Sequence, residues 1–202
     1  MFASILAITI ALPIIPVEQP DYDTAQDMSI QIYSGIQSPN RDLRAGFEGG
    51  AKFEYLLTHP YILRFGLDYS QANVTEPFAP TGRKSSWTLS SDILVYIGNN
   101  GMISYLGVGG TYGINNLRAD NNALDSLKLN LDVDEVDLSK NFGYRVFVGL
   151  RFQERVVFEM SFQQSNPDYV YKRRLTENTY SEQRFEGTFS VARVTLGYLI
   201  PL

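Results

Sequence analysis

The feature that most constrains this chain is an alternation of apolar and polar side chains with a period of two, which repeats from Met28 onward. This period is typical of β-strands whose two faces meet different surroundings. Eight such segments can be distinguished, and each is long enough to cross a bilayer as a tilted strand. They comprise residues 28–37, 44–57, 60–74, 85–97, 102–115, 141–153, 156–166 and 184–200.

The connections between these segments alternate between short and long. The short ones are residues 58–59, 99–101 and 154–155, and the longer, polar ones are residues 38–43, 76–84, 116–140 and 167–183. An even strand number with this order of connections is the pattern of an up-and-down barrel that has tight turns at one rim and long loops at the other. The sequence therefore predicts an all-β fold, an eight-stranded antiparallel up-and-down transmembrane β-barrel.

Within most segments one face is apolar and the other carries charge. An eight-stranded barrel has an interior that side chains can just fill, so acids and bases on one face can pair inside it. We therefore predict a polar network in the lumen, with a continuous pore as the alternative. Its ten members, five of each sign, are Glu48, Lys52, Glu54, Arg64, Asp68, Asp92, Arg145, Arg151, Glu159 and Arg193.

Alternation alone does not say which face points inward. A soluble barrel places its apolar face inside, and a soluble periplasmic ligand-binding barrel is therefore an alternative. The balanced charges favour the opposite arrangement, and so do aromatic residues near both ends of the apolar face, which would form the two girdles of a membrane barrel. In the segment at 102–115, Ile103 and Tyr105 fit this pattern poorly. In residues 185–191 the apolar side chains fall on the opposite face from those of the rest of the last segment, which predicts a bulge.

The N-terminal segment is apolar from Phe2 to Ile15, about the length of a signal-peptide core. We predict an export segment over residues 1–25 and the barrel domain over residues 26–202, although no Lys or Arg precedes the apolar run and a buried N-terminal strand or helix is the alternative. The chain has no cysteine, which excludes a disulfide framework and a cysteine nucleophile. A net charge of −5 without a basic stripe argues against nucleic-acid binding.

The C-terminal segment VARVTLGYLIPL alternates apolar residues from Val194 to Leu202. Together with the strand number and the order of the connections, it makes residues 28–202 similar to the small eight-stranded outer-membrane barrels, the OmpA transmembrane-domain and OmpX-like group. The usual terminal Phe is replaced by Leu202, and Pro201 stands next to it. The resemblance implies the outer membrane of a Gram-negative bacterium, extracellular loops, periplasmic termini, insertion by the barrel assembly machinery, and contact with outer-membrane lipid and lipopolysaccharide.

The function expected of such a chain is non-enzymatic: a structural or surface-interaction role through the long loops, with an unknown external partner and no cofactor. A lipid A-modifying enzyme is the alternative. The resemblance implies that such an enzyme needs a histidine near the outer leaflet, whereas the single histidine, His59, lies in a predicted periplasmic turn.

Two loops carry further candidates. In the loop at 116–140, alternation over residues 127–133 predicts a strand that projects beyond the membrane. Its acidic residues predict a solvated loop, with a calcium site as the alternative, since carboxylates are calcium ligands. A basic cluster in the last loop could contact lipopolysaccharide phosphates or pair with the acidic loop. The acidic residues are Asp132, Asp134, Glu135 and Asp137, and the basic ones are Lys172, Arg173 and Arg174.

Overall fold

The protein is described here from a computed structural model, which covers residues 28–38, 44–74, 82–97, 102–120, 124–125, 127–128, 133–153, 155–176 and 179–202. No helix within these ranges is long and apolar enough to cross a membrane. These ranges contain eleven β-strands: β1 (Met28–Gln37), β2 (Gly46–Thr58), β3 (Tyr61–Val74), β4 (Gly82–Ile97), β5 (Met102–Ala119), β6 (Glu135–Leu138), β7 (Asn141–Phe152), β8 (Val156–Ser165), β9 (Asp168–Thr176), β10 (Thr179–Glu186) and β11 (Phe189–Pro201).

Eight of these strands close into a barrel with the order β1-β11-β8-β7-β5-β4-β3-β2. All neighbours in the barrel are antiparallel, and β1 pairs with both β2 and β11, which joins the first strand to the last. Apart from β6 and the β9–β10 hairpin, which lie outside the barrel, each strand neighbours the next along the chain. The prediction of an eight-stranded antiparallel up-and-down barrel is confirmed.

The alternation of the sequence becomes an alternation of exposure along each barrel strand. In β3, for example, Leu67 is 47% exposed whereas Asp68 is 1% exposed. Apolar side chains point away from the barrel and charged ones point into it, which is the reverse of a soluble barrel. The predicted girdle aromatics follow this rule, since Tyr61, Trp87 and Tyr198 are all exposed on the outer wall.

A second, three-stranded sheet with the order β10-β9-β6 lies outside the barrel. Its strands come from two of the long connections, so residues 167–183 are not an irregular loop. The predicted strand at 184–200 is wrong at its start: Arg184–Glu186 belong to β10, and the barrel strand begins at Phe189. The wrong phase of residues 185–191 therefore reflects a change of sheet near Gly187, whose N–H donates to the Pro167 carbonyl at 2.9 Å, and not the predicted bulge.

The external strand of the other long loop is displaced from its predicted position. Alternation placed it over residues 127–133, but Leu127 and Lys128 are helical and β6 begins at Glu135. Residues 129–132 lie outside the described residues. The strand is positioned by its pairing with β9, in which Val136 faces Tyr171 and Leu138 faces Tyr169.

Two apolar clusters fill the two ends of the barrel. The turn-side cluster lies near the tight turns and consists of Ile62, Leu94, Tyr105, Phe147, Val157 and Leu199. The loop-side cluster joins the ends of barrel strands to the external sheet and consists of Ala72, Val74, Leu117, Val133, Val136, Leu138, Tyr169, Phe189 and Val191.

The tight turn at 58–59 is present, because β2 ends at Thr58 and β3 begins at Tyr61. Beside the turn at 154–155, Gln153 has a φ of 46°, the left-handed conformation that lets a short connection reverse the chain. The predicted export segment at 1–25 and the predicted turn at 99–101 lie outside the described residues.

Candidate functional site in the barrel interior

The ten charged residues predicted for the lumen all point into the barrel and are buried. They come from six strands, because each strand contributes residues of one parity to the interior. Every one of the ten forms an ion pair with another member. By strand they are Glu48, Lys52 and Glu54 on β2, Arg64 and Asp68 on β3, Asp92 on β4, Arg145 and Arg151 on β7, Glu159 on β8 and Arg193 on β11.

Glu159 is the point where three other strands meet. Its carboxylate accepts from Lys52 Nζ at 2.9 Å and from Arg64 Nη1 at 2.6 Å. It also accepts from the hydroxyl of Tyr105 at 2.9 Å. A carboxylate with three donors, two of them cationic, is well compensated for the loss of its hydration.

Asp92 links two arginines in the same layer. Its carboxylate accepts from Arg64 Nε at 3.0 Å and from Arg145 Nε at 2.8 Å, and it also accepts from Arg145 Nη2. Arg145 Nη1 lies 3.2 Å from the Asp68 carboxylate, which in turn accepts from the Tyr33 hydroxyl. Lys52, Glu159, Arg64, Asp92, Arg145 and Asp68 therefore form one continuous chain of ion pairs across the lumen.

The remaining four charges form two separate pairs. Arg151 Nη2 lies 2.6 Å from the Glu54 carboxylate, and Arg193 Nη1 lies 2.9 Å from the Glu48 carboxylate. The five acids and five bases thus neutralise one another within the barrel.

Aromatic rings complete the network, and the alternation rule did not single them out as members. Lys52 Nζ lies 4.1 Å from the centre of the Tyr33 ring, and Arg64 Cζ lies 4.1 Å from the centre of the Phe147 ring. Arg151 Cζ lies 4.9 Å from the ring of Tyr96. Cations over ring faces are stabilised most where water is excluded.

The two central rings fit because a glycine faces each of them on the neighbouring strand. Tyr105 is paired with Gly149 and Phe147 with Gly107. A Cβ on Gly149 would lie 2.1 Å from Tyr105 Cζ, and one on Gly107 would lie 2.3 Å from Phe147 Cζ. This reciprocal glycine–aromatic pairing is the sequence signal that could have placed both rings inside.

The interior therefore consists of a polar layer of paired charges between two apolar clusters. Among the described residues, no group of three or more His, Asp or Glu side chains is arranged to hold a metal ion. Such an arrangement can fill and stiffen the barrel, since each charge is held by a partner on another strand.

The basic cluster of the last long connection lies on β9 in the external sheet. Lys172 Nζ is 3.3 Å from the Glu135 carboxylate of β6, so it pairs with the acidic segment. Asp134 accepts from the backbone N–H of Arg174 at 2.9 Å. The guanidinium of Arg174 donates to the Tyr180 hydroxyl at 3.2 Å, and this hydrogen bond raises the pKa of Arg174 above its ordinary value. Arg173 is exposed on the same strand.

The other acidic residues and the histidine have separate positions. The Asp137 carboxylate accepts from the N–H of Leu138 at 2.8 Å, and Asp132 lies outside the described residues. His59 is exposed in the turn between β2 and β3, at the rim opposite the external sheet.

No protein-family model matches the sequence, and no curated protein matches it. Solved structures do. The outer membrane protein OprG from Pseudomonas aeruginosa is similar with a TM-score of 0.61 and 11% identity, over 87% of this chain and 97% of that one. Neisserial surface protein A is similar with a TM-score of 0.51 and 11% identity, over 87% of this chain and 97% of that one. The fold is that of the small eight-stranded outer-membrane β-barrels, as the sequence resemblance predicted.

Proposed function

We propose that this protein is a non-enzymatic integral outer-membrane protein, in which a closed barrel anchors an external sheet that makes contacts at the cell surface. The observation that carries the proposal is the inversion of the barrel: its outer wall is apolar, and its interior holds paired charges. Water would meet large apolar side chains such as Phe65 and Val148 across the whole wall, whereas lipid would solvate them favourably.

The external sheet supports the surface-interaction part of the proposal. Every residue of β10 is exposed, including the large side chains Tyr180 and Phe185. Within the part of the chain that the structure describes, β10 is also an edge strand, because β9 is its one neighbour in the sheet. Exposed aromatic residues on a strand with an unpaired edge are suited to contact another molecule.

The proposed orientation places the external sheet outside the cell and the tight turns in the periplasm, as in barrels of this class. The basic residues of β9 would then stand where lipopolysaccharide or a macromolecular partner can reach them. Lys172 pairs with Glu135 of β6, and Arg173 and Arg174 are exposed on the same strand as Lys172.

Gel mobility tests the membrane barrel. Protein refolded in detergent is expected to run differently before and after boiling, because a closed membrane barrel resists SDS until it is heated. The same mobility in both samples, together with solubility in buffer without detergent, would contradict the proposal and indicate a soluble barrel.

Single cysteines test the orientation, and the chain supplies a background without cysteine. Ser181→Cys lies on the exposed β10 and Thr58→Cys lies beside the tight turn, where it is also exposed. In intact cells, a membrane-impermeant maleimide should label the first and not the second, and both should react after lysis. Labelling of Thr58→Cys alone would contradict the proposed orientation and indicate the opposite one.

A further inference from the structure

The outer wall of β2 to β5 changes character over three successive rows of cross-strand neighbours near the long-loop rim. Tyr69, Trp87 and Ile114 form the first row; Phe47, Gln71, Ser85 and Asn116 form the second; and Asn73, Arg83 and Arg118 form the third. The wall therefore passes from aromatic to polar to basic within four residues of one strand, about 13 Å along its direction.

The aromatic row marks the level of the membrane interface. The rings of Trp87 and Tyr69 pack in a tilted arrangement with centroids 5.0 Å apart, and the rings of Tyr69 and Phe47 have centroids 6.3 Å apart. Aromatic rings on the outer wall of membrane barrels lie at the headgroup level. The basic row, further toward the rim, consequently stands where lipid phosphates lie.

Arg83 and Arg118 are placed directly opposite each other on β4 and β5, and both are exposed on the outer wall. Side chains in this relation have Cβ atoms about 5 Å apart, and like charges there destabilise a sheet. Among the described residues neither guanidinium forms an ion pair, and the exposed Asp120, two residues beyond Arg118, makes none with them. An anion between the two arginines would remove the repulsion.

One of the two arginines is already oriented by a neighbour. When the Gln71 amide is oriented so that both its oxygen and its nitrogen find partners, its oxygen accepts from Arg83 Nε at 2.9 Å and from Nη1 at 3.2 Å. Arg83 also lines a surface depression of about 450 Å³, together with Phe47, Gln71 and Asn73. This leaves N–H donors of a fixed guanidinium beside space that a ligand group can enter.

We propose that Arg83 and Arg118 bind a phosphate group of an outer-leaflet lipid, with the acyl chains of that lipid lying along the apolar wall below. The proposal rests on the membrane insertion proposed above, and it concerns a site distinct from the basic residues of β9. Arginine suits this ligand because its planar fork binds phosphate oxygens in pairs.

The test compares wild type with Arg83→Gln/Arg118→Gln, both refolded in detergent. The matched control is Arg155→Gln, which removes an exposed arginine near the tight turns. Binding of lipid A with both phosphates, of the same lipid without phosphate, and of inorganic phosphate is measured by native mass spectrometry. Fluorescence emission from Trp87, the single tryptophan, gives a second and independent measure of lipid binding. Trp87 lies two outward-facing positions from Arg83 on the same strand.

We expect wild type and Arg155→Gln to bind the phosphorylated lipid at least tenfold more tightly than the lipid without phosphate, and the double variant to lose this preference. Inorganic phosphate should bind much more weakly than the lipid. Equal binding of both lipids by wild type would overturn the proposal without any variant being needed. Inorganic phosphate that binds as tightly as the lipid would indicate a site for free phosphate instead.

The same samples separate failure of the site from failure of the proposed function. A heat-dependent mobility shift combined with equal lipid binding would overturn the lipid site and leave the membrane barrel intact. Absence of the shift in wild type would overturn the membrane barrel, and the lipid site with it. If the double variant alone loses the shift, it has not folded, and the comparison of the two lipids on wild type then decides the test.

Discussion

At the scale of single residues, the interior charges are held in place because each has partners on other strands. Glu159 of β8 contacts β2, β3 and β5 through Lys52, Arg64 and Tyr105. Removing one partner of a buried ion pair leaves the other charge without compensation, whereas replacing both is far less costly. A single substitution in the network should therefore destabilise the barrel more than removal of both partners of a pair.

Glu159→Gln is expected to destabilise the folded barrel by roughly 3–5 kcal/mol, because Lys52 loses its carboxylate partner inside the barrel. The double variant Lys52→Met/Glu159→Gln should recover a substantial part of this loss. Urea-induced unfolding in detergent micelles measures both. Glu182→Gln is the matched control, since Glu182 pairs with Arg184 on the exposed β10, and such pairs contribute about 1 kcal/mol or less. A loss from Glu159→Gln as small as that of the control would contradict the network's role.

The sequence predicted the direction of the ten charged side chains because those on the same barrel strand all lie on the same face of that strand. It did not predict which acid meets which base, since pairing depends on strand neighbours and register. It also missed Tyr33, Tyr105 and Phe147 as members, because an aromatic ring suits lipid and a filled lumen equally well. Phe147 shares the parity of Arg145 and Arg151, and a glycine lies opposite each of the last two rings, so parity and the glycines together indicate the interior.

At the scale of strands, alternation located the eight barrel segments to within a few residues but did not assign strands to sheets. β10 and β11 are separated by Gly187 and Thr188 alone, so the sequence reads as one segment with a phase error. β6 has four residues, which is too short for a period of two to stand out. Tertiary pairing with β9 decides its position.

Val136→Asp tests whether the loop-side cluster fixes the external sheet to the barrel. Val136 of β6 is buried in that cluster, so a carboxylate there would be desolvated among apolar side chains. We expect limited proteolysis to cut the external sheet several-fold faster while the heat-dependent gel shift remains. Ser181→Asp, on the exposed face of the same sheet, should change neither property. Loss of the gel shift in Val136→Asp would show instead that the barrel requires the sheet in order to fold.

At the scale of the whole molecule, the barrel is filled by three layers: the turn-side cluster, the polar network and the loop-side cluster. Eight strands leave an interior that side chains can just occupy, so each layer can block the passage of ions. In the function proposed above, the barrel serves as a rigid anchor, and the wall and the external sheet are the surfaces left for recognition. Specific contacts would then be made by exposed residues of the wall and the external sheet. Because exposed positions tolerate many side chains, the alternation of apolar and polar residues does not indicate which of them make those contacts.

Wild-type protein in a planar lipid bilayer is therefore expected to show no steady conductance. The variant Tyr105→Ala/Phe147→Ala removes two rings that connect the turn-side cluster to the polar network, through Tyr105 with Glu159 and Phe147 with Arg64. Water should enter the space, and brief conducting events should appear. Phe142→Ala is the matched control, because Phe142 is 80% exposed on the outer wall and its loss leaves the interior unchanged. Steady conductance of wild type at the level of the double variant would show that the three layers do not close the barrel, and that the paired charges line a pore.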